Sequence, residues 1–168
     1  MKYDIPAPEA KRAAHAHELL LVNLILNHVF LFISTLSLSG PYPYLPLVVP
    51  LISISILSYI LWRAHRAQTN VHWFVNAHWQ MCARRSRIFL SMLVIVGLML
   101  LLGWVGYAYF HLAKVLVLAW FSVAGLPVMG TLLTLVVLES DALNQARKGR
   151  FPQWAAQRFA ASRKAISN

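Results

Sequence analysis

Long stretches free of Asp, Glu, Lys and Arg alternate along this chain with short segments that collect its charge. Four of the uncharged stretches, 19–39, 44–62, 88–110 and 115–138, are long enough to cross a bilayer, since a helix needs about 20 apolar residues to span the hydrocarbon core. They are apolar all round rather than along one stripe, which is the pattern of a helix immersed in lipid or in a large core. One such helix could lie inside a soluble protein. Four in 168 residues leave too little polar surface to cover one. The pattern therefore predicts an all-α membrane protein with four transmembrane helices. Segment 1–18 precedes the first, 63–87 separates the second from the third, and 139–168 follows the fourth.

Charge then sets an orientation. The formal net charge is +10, with 15 Lys and Arg against 5 Asp and Glu. Arg63, Arg66, Arg84, Arg85 and Arg87 lie between the second and third spans. Lys2, Lys11 and Arg12 precede the first. Arg147, Lys148, Arg150, Arg158, Arg163 and Lys164 follow the fourth. Only Lys114 sits in a connection on the other side. Cytoplasmic segments are the ones enriched in Lys and Arg. The expected arrangement is two hairpins with both termini and the middle segment in the cytoplasm, in a bacterial inner membrane. The turns "GPYPY" and that around His111 face outward. Basic charge confined to membrane flanks fits anionic lipid better than nucleic acid.

Several polar groups fall within the spans. Asn23, Asn27, Ser34 and Ser37 recur at helical spacing on the first, which predicts a polar seam facing other helices. His28 adjoins this seam at mid-depth, and an ionisable group there is a functional candidate. No other span offers a histidine at that depth, so haem b would have to be shared with another chain. The expected role of His28 is an interhelical hydrogen bond. On the second span Ser55, Ser58, Trp62, His65, Thr69, His72 and Asn76 follow at steps of three or four. His65 and His72 join His28 as the candidate cofactor ligands. Pro127, flanked by Gly125 and Gly130, predicts a bend in the fourth span.

The stretch "NVHWFVNAHWQ", 70–80, repeats Asn-x-His-Trp at an offset of six residues. Six residues turn a helix through about 240°, so His72 and His78 point apart and the repeat alone does not chelate a metal. Segment 63–87 lacks Gly and Pro and is expected to be largely helical. Val71, Phe74, Val75, His78 and Cys82 form one face, and His72, Trp73, Asn76, Trp79 and Gln80 the other. His15, His17, His65, His72 and His78 gather on the cytoplasmic side with Glu9, Glu18, Glu139 and Asp141. They match no zinc spacing and no HxxHH cluster of the kind membrane di-iron oxygenases carry, so no metal site is assigned. The lone Cys82 excludes an intrachain disulfide.

The fourth helix is expected to run past the membrane and end at Gly149. Residues 152–167 then read as a basic amphipathic helix whose Arg158, Arg163 and Lys164 face anionic headgroups. No nucleotide-binding or nucleophile motif is present. The expected function is a non-enzymatic accessory or structural subunit of a membrane complex, partnered by lipid and by other membrane subunits or a second copy. The alternatives are a redox or cofactor-binding membrane protein and a small-solute transporter or channel.

Overall fold

The computed structural model describes residues 3–42, 44–70 and 72–152, with side chains for all of these except 68–70. Among them every regular element is helical. They are α1 (Ala7–Val22), a π-helical segment (Asn23–Leu31), α2 (Phe32–Ser37), a 3₁₀ turn (Leu45–Leu47), α3 (Val48–Asn70), α4 (Trp73–Phe110) and α5 (Lys114–Arg147). Four rods result, each long and apolar enough to cross a membrane: Ala7–Ser37, Leu45–Ala67, Trp73–Phe110 and Lys114–Arg147. The basic segment 152–167, with Arg158, Arg163 and Lys164, falls almost wholly outside the described residues.

The helices outrun the apolar stretches at one end. At about 1.5 Å per residue, the 38 residues of α4 extend about 57 Å, nearly twice a hydrocarbon core of about 30 Å. The packed core sits in this overhang. Ala13, Ala16, Ala64, Ala67, Phe74, Ala77, Cys82, Ala142, Ala146 and Phe151 are all buried there. The other end of the rods carries apolar side chains that stay exposed, such as Phe30, Ile33, Leu101, Val123 and Leu126. Lipid is the solvent suited to that surface. Small residues dominate the packed end because alanine lets helix axes approach closely.

Segment 63–87 is helical as expected, and it divides between two rods. α3 ends at Asn70, and α4 begins at Trp73 with His72 as its N-cap, the His72 ring accepting from the Phe74 N–H at 3.4 Å. Among the described residues no separate interfacial helix intervenes. Phe74, Val75, His78 and Cys82 point into the bundle, as the spacing predicts, and Trp79 joins them beneath the Arg63 guanidinium, 5.6 Å from the ring.

Side-chain pairs fix how the rods lie. His17 meets His78, and eleven residues further along each helix His28 meets Phe89, so α1 and α4 run the same way in register. Trp120 Nε1 donates to Met99 O at 2.8 Å and Arg85 Nη1 to Leu138 O at 3.1 Å, so α5 runs opposite to α4. By this register α2 ends near the level of Leu98. α4 continues to Phe110, twelve residues or about 18 Å beyond. α5 runs through Pro127 without interruption.

A helix end closes the packed region. Lys148 caps α5, Gly149 follows with φ +62°, Arg150 N–H donates to Gln145 O at 2.8 Å and Gly149 N–H to Ala146 O at 3.3 Å. These are the two bonds of a Schellman ending, with glycine at the left-handed position the sequence indicates. Gly149 O in turn accepts from Tyr3 N–H at 2.9 Å, tying the two ends of the described chain together. A Cβ at Gly149 would meet Tyr3 O at 2.9 Å. Gly149→Ala is therefore expected to lower stability by about 1–2 kcal/mol from left-handed strain alone, read as a fall in the thermal midpoint in detergent. An unchanged midpoint would mean that the Tyr3–Gly149 closure contributes nothing.

Candidate functional site

α1, α4 and α5 each deliver polar side chains to one buried point. Glu139 lies one residue past the fourth uncharged stretch, on the α5 face that carries Leu132, Leu135, Ala142 and Ala146 inward. Its side chain is fully buried. One oxygen, Oε1, accepts from Arg85 Nη1 at 3.0 Å. The other, Oε2, lies 2.5 Å from His17 Nδ1. The opposite nitrogen of His17 lies 2.9 Å from His78 Nδ1. A continuous chain, Arg85–Glu139–His17–His78, thus crosses the bundle. A carboxylate without exposure is tolerable only with such partners, because losing water costs several kcal/mol per ion. Arg85 reaches Glu139 from the rim, its side chain 16% exposed.

Cys82 stands one turn from His78 on α4 and donates to Ala16 O at 3.2 Å. Burial pushes its thiol well above the ordinary range, and the Glu139 charge adds to this. One ligand atom each from His17, Cys82 and Glu139 lies within 4.8 Å of the others. Ser86 Oγ, a further turn along, is buried beside the Cys82 thiol with no other hydrogen-bond partner. His78 closes the other side of the cluster. Phe74 and Phe151 pack on it with ring centroids at 4.6 and 5.1 Å. Burial pushes its pKa down to about 3, with His17 and Arg85 adding to the shift and the Arg150 backbone opposing it.

A second polar layer lies about two to three turns deeper along the first rod. Asn23 Nδ2 donates to Ser53 Oγ, and Asn27 Nδ2 to Asn23 Oδ1 and Val49 O, all at 3.0 Å. Half of the expected seam therefore faces α3. The other half does not. Ser34 and Ser37 are exposed and bond to Phe30 O and Ile33 O of their own helix. The π-helical segment is the physical cause. Its wider turn shifts the phase of everything after it, so a stripe drawn at 3.6 residues per turn misses beyond Leu31. Thr35 takes the inward place instead.

The three histidines proposed as cofactor ligands occupy three different settings. His28 bonds within its own rod, Nδ1 to Asn23 O at 2.9 Å, while its ring edge meets Phe89 at 4.8 Å. The expected interhelical hydrogen bond is thus a backbone bond plus a ring contact, because the wide turn aims that carbonyl at the ring. His65 is exposed, since the stripe Ser55, Ser58, Trp62 and His65 faces away from the bundle and Ser53, Leu57, Ile60 and Ala64 face in. His72 lies 2.8 Å from Glu9 of α1, and His78 belongs to the other cluster. His72 stands outside α4 as its N-cap while His78 lies within the helix, and the two rings share no polar side-chain partner.

Sequence reasoning gathered His17, His78 and Glu139 on one side of the membrane but did not join them. A usable signal exists. Glu139 is an acid placed directly against a long uncharged stretch and on its inward face. A carboxylate there needs a basic partner, and Arg85 stands at the corresponding boundary of the preceding span. Arg85→Ala is expected to cost about 3 kcal/mol, the scale of breaking a buried pair, measured by thermal unfolding in detergent. A cost below about 1 kcal/mol, that of an exposed pair, would mean Glu139 does not depend on Arg85. Comparison with protein-family models, with characterised proteins and with solved structures finds no match, so the chemistry has to be read from these side chains themselves.

Proposed function

We propose that this chain is a small multi-pass protein of a bacterial inner membrane, with two hairpins and both termini in the cytoplasm, acting as a non-enzymatic accessory or structural subunit of a membrane complex. The observation that carries this reading is the unequal reach of the rods. Helices α4 and α5 continue about 18 Å past the end of α2, and their tips are apolar. Leu102, Tyr109, Phe110 and Val115 are 63, 70, 74 and 69% exposed. Beside these tips no helix of the first pair is present among the described residues, so the apolar surface they share is open to another membrane helix. Between them lies an apolar cavity of about 550 Å³, bordered by Leu102, Gly103, Leu116, Val117, Trp120 and Val123. The occupant that suits it is an apolar side chain of another membrane helix.

The orientation rests on the distribution of Lys and Arg. A polar groove of about 830 Å³ at the packed end supports lipid contact, with Lys11, Arg12 and Arg63 beside Tyr59 and Trp79. In this orientation the groove falls at the inner headgroup level. There anionic lipid would meet its cations and, further along the chain, Arg158, Arg163 and Lys164.

Two measurements test the reading. In a Cys82→Ala background, a cysteine replacing Tyr42 is expected to react with an impermeant thiol reagent from outside the cell, and one replacing His65 only after the membrane is opened. External labelling at position 65 would reverse the topology. A photocrosslinking residue at Leu102 is expected to capture a specific membrane protein in native membranes, whereas one at Trp62 captures lipid. Lipid alone at both positions would overturn the subunit assignment.

A further inference from the structure

We propose that His17, Cys82 and Glu139 form a binding site for one borderline-soft divalent cation, zinc first among them. The three residues supply nitrogen, sulfur and oxygen, the mixed set that zinc accepts. A harder ion such as magnesium would not use the thiolate, and a softer one such as copper(I) would gain little from the carboxylate. All three residues are buried, and their ligand atoms already lie within 4.8 Å of one another. Three protein ligands is also the number found where zinc keeps a position for a further ligand.

The surroundings of the three are what distinguish a site from a coincidence of side chains. Metal ligands are held by outer hydrogen bonds that fix their tautomer and orientation. Each of these three has such a partner. His17 presents Nδ1 to the centre while Nε2 is 2.9 Å from His78 Nδ1. Glu139 presents Oε2 while Oε1 is held by Arg85 at 3.0 Å. Cys82 has the Ser86 hydroxyl beside it, and that oxygen is buried with no other partner. Its O–H is free to donate to a thiolate. A recess of about 530 Å³ bordered by Met81, Arg85, Leu138 and Asp141 reaches the rim of the cluster at Arg85.

Protons balance as follows. Without metal, His17 Nδ1–H donates to Glu139 and His78 Nδ1–H donates to His17 Nε2. On binding, both imidazoles change tautomer, each keeping one proton: His17 then donates from Nε2 to His78 Nδ1, and His78 carries its proton on Nε2. Glu139 stays a carboxylate. Cys82 gives its proton to solvent, so one proton leaves for each cation bound and binding tightens as pH rises.

The test uses the full chain in detergent, stripped with a chelator and titrated with cobalt(II) and then zinc. Because Cys82 is the single cysteine, a thiolate-to-cobalt charge-transfer band would itself report this ligand. The expected result is that band saturating at one cobalt per chain, bleaching as zinc displaces cobalt, with a zinc-dependent rise in the thermal midpoint. Cys82→Ala, a small change at a position that should still fold, is expected to abolish both, while His65→Ala retains both. Absence of stoichiometric binding would overturn the proposal and leave the cluster as a hydrogen-bonded lock alone. Cobalt bound without the thiolate band, or retained fully in Cys82→Ala, would equally overturn it.

Discussion

Burial of one carboxylate organises this bundle. Between membrane helices there is little hydrophobic force to choose one register over another, since lipid tails are as apolar as leucine. Directional polar contacts have to do it. Glu139, with no exposure, binds α5 to Arg85 of α4 and to His17 of α1, residues 54 and 122 positions away in sequence. Sliding α5 by one residue would turn Glu139 by about 100° and leave its charge without either partner. The asparagine layer does the same for α3, through Ser53 and Val49 O, and Gln80 Nε2 adds a bond to Ala64 O at 2.7 Å. Each neighbouring pair of rods thus carries at least one bond that only one register satisfies.

The two ends of the rods meet different demands. The packed end is built like a small soluble core, with aromatic rings stacked over the cluster. Trp73 meets Tyr3 at 5.1 Å and Phe151 at 6.2 Å. Charge at its surface is paired across elements, as in Arg147 with Glu18 at 2.7 Å. The apolar end makes few such contacts, the Trp120–Met99 bond among them, and its hydroxyls bond back to their own helices. Ser55, Ser91, Ser122 and Thr134 each donate to the carbonyl four residues earlier. Self-satisfaction of that kind is required where no water is present to accept a hydrogen bond.

What the sequence made legible follows this division. Composition over some 20 residues is enough to find the spans, because the energetic demand there is local and summed over the helix. The ending at Gly149 was equally readable, since a left-handed position has one natural occupant. The π-helical segment was not. Asn23–Leu31 contains no Gly or Pro to announce it, and its effect was to turn Ser34 and Ser37 outward. The cluster was also hidden. His17, His78, Cys82 and Glu139 each look incidental along the chain, and only the relative depth of three helices brings them together. Depth is decided by the very contacts that would have to be known in advance.

Alanine explains how short side chains can meet at such distances. Around the cluster the inward positions of α1 are Ala10, Ala13, Ala14 and Ala16, those of α4 include Ala77 and Ala83, and those of α5 include Ala142 and Ala146. Helices lined by leucine would stand farther apart, and His17 and Glu139 could not then reach a third helix from their own. The alanines therefore act on the chemistry as well as on the packing. They set an interhelical spacing at which imidazole, thiol and carboxylate fall within reach of one another. A polar centre embedded among alanines has to satisfy itself from its own side chains, and the chain Arg85–Glu139–His17–His78 is how it does so.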